Sequence, residues 1–83
     1  MYTNAEEVFQ SALDLSDELG RKGVIAEAQE IREVVRAFWT SSTEALGELR
    51  AALGKINGDA FPQDIHDKIT ELQNACTKLM RLS

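Results

Sequence analysis

The chain has 83 residues, 43% hydrophobic and 28% charged, which suits one small globular domain and is too apolar for a disordered segment. Net charge is −5, from nine Lys and Arg against fourteen Asp and Glu, and this sign opposes non-specific attraction to nucleic acid or anionic lipid. No apolar run approaches the roughly 18 residues of a membrane span, the N-terminal stretch carries acid where a secretory leader carries base, and the single cysteine, Cys76, has no disulfide partner, so a cytoplasmic protein is expected.

The first helix is expected over residues 4–20. At about 100° per residue, Ala5, Val8, Phe9, Ala12, Leu15 and Leu19 share one arc, with Leu13 at its edge and five acids opposite. Thr3 stands three residues before Glu6, the spacing of a capping box, and Gly20 or Gly23 supplies a left-handed stop. Residues 1–20 hold Glu6, Glu7, Asp14, Asp17 and Glu18 with no Lys or Arg, while the other nine acids balance the nine bases. All the excess charge therefore lies on this helix, and Glu7, Asp14 and Glu18 form a candidate face for a basic protein partner.

A second helix is expected over 23–39, where Val24, Ala28, Ile31, Val35 and Phe38 follow in alternating steps of four and three, flanked by Val34 and Trp39. Phe38 and Trp39 read as core and as a lid on the bundle end rather than as a platform for stacked bases. The joint at 40–42 admits two readings, separate helices or one kinked helix. A run of four hydroxyls, Thr40 to Thr43, occupies it, and Ser41 again precedes a glutamate, Glu44, by three. Capping of a new helix accounts for the run better than a phosphorylation site or a serine nucleophile, because the chain has one histidine and no glycine-flanked serine of the nucleophile-elbow type.

The third helix is expected over 43–57 with Leu46, Leu49, Leu53 and Ile56 inward. Away from these leucines, Thr43, Gly47, Ala51 and Gly54 form a strip of small residues. Each interior glycine costs about 1 kcal/mol against alanine. The strip is therefore a candidate interface, through which the chain is expected to self-associate as a two-fold dimer.

Asn57 and Gly58 stop that helix, and Pro62 suits the first turn of a fourth, expected over 62–81, with Ile65, Ile69, Leu72, Cys76 and Leu79 inward. Asp64, His66, Asp67 and Glu71 are the one crowding of potential metal ligands. Acids belong in the first turns of a helix, and neither a second histidine nor a Glu-x-x-His pair completes a set, so no metal is expected. Cys76 lies in a core position and reads as a small inert hydrophobe.

Four apolar stripes joined by short connections can be buried only against each other, so an all-α, compact bundle of four short antiparallel helices is expected, a single domain over 1–83. No catalytic, cofactor or metal residue is assigned. The expected function is that of a small non-enzymatic protein acting through protein–protein interaction and self-association. The alternative is a nucleic-acid-binding regulator using residues 24–39 and 43–56 as a helix-turn-helix, disfavoured because the would-be reading helix opens with Glu44, Ala45 and Glu48 and offers only Arg50 and Lys55.

The stretch "TSSTEALGELRAALGKI" followed by "FPQDIHDKI" resembles a pattern in small bacterial proteins of unknown function: a hydroxyl-rich turn, Thr-Glu, Leu-x-x-Leu-Arg, a Pro-containing loop and a last amphipathic helix. The similarity spans residues 13–79. It implies a bacterial source and an all-helical fold, and brings no activity or functional residues with it.

Overall fold

The computed structural model describes residues 4–37, 39–56 and 61–82, and within them the regular structure is helical throughout. In chain order the helices are α1 (Ala5–Arg21), α2 (Ile25–Arg36), α3 (Ser42–Gly54) and α4 (Gln63–Leu82). Each packs on two neighbours in a ring, α1 on α2 and α4, and α3 on α2 and α4. Neighbours run antiparallel: Arg32 of α2 reaches back to Asp17 of α1, and Gly47 and Gly54 of α3 lie beside Met80 and Gln73 of α4. The expected four-helix all-α bundle is the observed one.

One continuous core runs through all four helices, with Leu15, Leu19, Ile31, Leu49, Leu53 and Leu72 almost wholly removed from water. Ser16 is the one buried polar side chain among the described residues; its hydroxyl donates to the Leu13 carbonyl at 2.7 Å, so burial leaves no bond unmade. No helix among the described residues is long and apolar enough to cross a membrane.

The helix ends account for most departures from expectation. At the start of α1 the cap is Asn4, whose Oδ1 accepts from the Glu7 amide at 2.9 Å, one residue later than the expected Thr3–Glu6 box; Thr3 lies outside the described residues. The stop is Gly23, not Gly20, because Gly23 carries the positive φ of 87°. Val24 N–H donates to the Leu19 carbonyl and Gly23 N–H to that of Gly20, the paired bonds of a Schellman turn, and Val24 packs on the core beneath. Residues 23 and 24 are thereby held in the turn, so α2 opens at Ile25 rather than 23 and its N-cap, Val24, makes no side-chain bond.

The far end of α2 is Arg36 rather than residue 39, since Ala37 turns extended with ψ of 154°. Trp39 leaves the helix and folds back, its indole Nε1–H donating to the Val34 carbonyl at 2.7 Å, one of the last-turn carbonyls that the helix leaves unbonded. Phe38, the expected end of the stripe, lies outside the described residues. The joint is thus a true break, and α3 opens on Ser41, whose Oγ accepts from the Glu44 amide at 3.2 Å. Ser41→Ala is expected to cost about 0.5–2 kcal/mol in urea denaturation, and the exposed Ser42→Ala less than about 0.5 kcal/mol. Equal losses at the two positions would remove the cap assignment.

α3 ends at Gly54, short of the expected 57; Asn57 and Gly58 lie outside the described residues. Pro62 stands just before α4 rather than in it, and its carbonyl accepts from the Ile65 and His66 amides at 3.1 and 3.2 Å.

Candidate protein-interaction surfaces

The orientation of α1 sorts its acids into two groups. Val8, Ala12, Leu15 and Leu19 point into the core. Arg32 of α2 donates to Asp17 Oδ1 at 3.1 Å and to the Ser16 carbonyl at 3.4 Å, and it lies 3.4 Å from where a Cβ on Gly20 would stand. That contact places α2 along the Leu13–Asp17–Gly20 flank, and at about 100° per residue Glu6 falls on the same side. Glu7, Asp14 and Glu18 fall together on the other flank, toward α4. Glu7 and Asp14 are exposed and Glu18 half-buried, and Gln10 Nε2 donates to Asp14 Oδ1 at 3.4 Å. The three acids singled out in the sequence therefore share one flank, while Asp17 is neutralised by Arg32.

In the small-residue strip, Thr43, Ala51 and Gly54 are exposed and Gly47 is half-buried. A Cβ added at Gly47 would meet Met80 Sδ at 3.8 Å and one at Gly54 would meet Gln73 Nε2 at 3.4 Å, so the glycines border α4 instead of pointing straight outward. Both neighbours are ends of flexible side chains at ordinary contact distance. Gly47→Ala is expected to raise stability by up to about 1 kcal/mol through helix propensity, with Gly54→Ala gaining less at the last residue of α3. A lowered thermal midpoint for Gly47→Ala would show that α4 needs the glycine there.

The other crowded positions stay apart. The hydroxyl run opens α3, whereas His66 lies in the first turn of α4, at the opposite end of this antiparallel pair. Gln63 Nε2 donates to Asp67 Oδ1 at 2.8 Å and stands 3.4 Å from His66 Nδ1, and among the described residues no three His, Cys, Asp or Glu gather as metal ligands would. On α3, Lys55 Nζ donates to Glu30 Oε1 at 2.6 Å, which holds its pKa above the ordinary value. Arg50, Glu44 and Glu48 share the exposed surface of this helix. Cys76 is wholly buried, and desolvation pushes its thiol up to about 11 against a smaller opposing effect of Arg50.

One surface was missed in the sequence. Asp17, Gly20, Arg21, Ile25 and Arg32 line an open groove where α1 ends and α2 begins, and Ile25 is 59% exposed. The signal was available: Ile25 is one step off the Val24–Ala28–Ile31 stripe, so a helix that buries the stripe turns Ile25 outward. Comparison with family models, curated proteins and solved structures finds no match for this chain.

Proposed function

We propose that this chain is a small non-enzymatic helical protein of the cytoplasm that works by binding other proteins and associates with itself. The observation that carries the reading is the flank of α1 formed by Glu7, Asp14 and Glu18, three like charges on one side of one helix in a chain whose residues 21–83 hold equal numbers of acids and bases. A single-sign patch of this kind steers a basic protein surface toward it, and salt weakens the attraction. Lys55 is engaged by Glu30, and two acids accompany Arg50 on α3, which favours a protein partner over nucleic acid.

The test is affinity purification of the tagged full chain from its own cells, beside the variant Glu7→Gln/Asp14→Asn/Glu18→Gln. The wild type is expected to retain a basic protein in stoichiometric amount. The variant should bind that protein about tenfold more slowly and with a flatter salt dependence. Unchanged kinetics would make the flank ordinary solvated surface. Steeply salt-dependent binding of random duplex DNA by the wild type would replace the reading with that of a regulator using α2 and α3.

A further inference from the structure

We infer that the flank of α1 that borders α2, centred on Leu13, joins two copies of this chain in an antiparallel two-fold dimer. The inference rests on the reading above and names one partner, a second copy. Two apolar side chains on this side of the molecule are left outside the core. Leu13 is half-buried yet not part of the core cluster, and Ile25 is 59% exposed beside Gly20 and Arg21. Gly20 between them is bordered by the Arg32 guanidinium, 3.4 Å from where a Cβ would stand, so the seam there is lined by Arg32.

Charge decides the occupant and its direction. On this flank Asp17 is paired with Arg32, and Arg21 lines the same groove, so both signs are present beside Leu13. Along α1 the order is acid first and base last, Glu6 at the N-terminal turn and Arg21 in the last turn. Two parallel copies would set Glu6 against Glu6. Two antiparallel copies related by an axis at Leu13 set position 6 of each against position 20 of the other, seven residues or about 10 Å from the axis on either side. Glu6 then meets Arg21 of the second copy twice over, and Leu13 meets its own counterpart. Ile25 covers the partner's first turn, and Asp17 stays with its own Arg32.

The positions Glu6, Gln10, Leu13, Asp17 and Gly20 recur in steps of four and three, the spacing that keeps one side of a helix against a neighbouring helix. Such a dimer does not involve the flank of α1 that carries Asp14 and Glu18. The strip on α3 is the competing seam, and among the described residues it offers no large exposed apolar side chain, whereas the α1–α2 side offers Ile25.

Sedimentation of the full chain over a range of concentrations tests the assignment, with circular dichroism confirming helix content for every variant. The wild type is expected to show a monomer–dimer equilibrium of the weak class that a small interface gives. Glu6→Arg and Arg21→Glu alone should each raise the dissociation constant about tenfold or more, and together restore it to within about threefold, because the reversed charges meet again across the axis. Gly47→Leu and the acidic-flank variant should dimerise as the wild type does, so a failure of partner binding is read separately. A monomer up to about 1 mM, growth beyond a dimer, absence of rescue in the double variant, or loss of the dimer in Gly47→Leu alone would each overturn the inference.

Discussion

Leu49→Ala is expected to lower the free energy of unfolding by about 3–5 kcal/mol. Leu49 is wholly buried, on a helix whose inward side also holds Leu46 and Leu53 and which packs on both α2 and α4. Truncation removes apolar contact and leaves a cavity that regular helices on either side cannot close by small shifts. A domain of this length has in total roughly 4–12 kcal/mol, so the loss is a large share of what exists. Leu13→Ala, at a half-buried position outside the core, should cost about 1 kcal/mol or less. Urea unfolding is the measurement, followed by helical dichroism and by Trp39 fluorescence. In the wild type the two curves should superimpose, since one core runs through all four helices. A Leu49→Ala loss under about 1 kcal/mol would mean that α3 does not pack as described.

The helices were legible from periodicity because burial of a stripe is decided by spacing alone. Ile65, Ile69, Leu72 and Cys76 recur in steps of four and three, and all four are buried. Ser41 was legible for a similar reason, since a short side chain three residues before a glutamate closes a local ring of bonds that needs no tertiary partner. The ends that were misjudged depend on competition between equivalent local choices. Thr3 and Asn4 both precede a glutamate by three, and Asn4 takes the cap. Periodicity carried α2 on to residue 39, but the chain turns extended at Ala37, and the indole of Trp39 replaces the continuing helix as partner for Val34. At the surfaces the limits were sharper. The acidic residues were visible in the sequence, but their division between two flanks depends on where Arg32 of α2 reaches, a contact fifteen residues away along the chain. The glycine strip looked free because the course of α4 beside it is not encoded in α3.

Native Cys76 is expected to react with a thiol reagent at pH 8 about a thousandfold more slowly than the same cysteine in the urea-unfolded chain, and of the two effects to weigh, titration and occlusion, occlusion alone supplies that factor. Desolvation moves the thiol from the ordinary 9.0 to about 11. At pH 8 that lowers the thiolate fraction about 100-fold, and the higher intrinsic nucleophilicity of a more basic thiolate returns about a factor of ten, so titration alone accounts for only about tenfold. Occlusion is the larger cause. Cys76 has no accessible surface, so reaction waits on opening of the bundle, and an opening free energy near 4 kcal/mol exposes the sulfur for about one part in a thousand of the time. The same shift has a consequence for stability. Because the folded state holds the thiol proton more tightly, the unfolded chain loses it first. The contribution is therefore fully present below pH about 8.5 and declines as pH rises toward about 11, by up to roughly 2–3 kcal/mol. Lysines titrate in part of this range, so the measurement is the difference between wild type and Cys76→Ala: the variant starts less stable at pH 7 and should lose less between pH about 8.5 and 10.5. Parallel pH profiles, or native alkylation at the rate of the unfolded chain, would remove Cys76 from the core of α4.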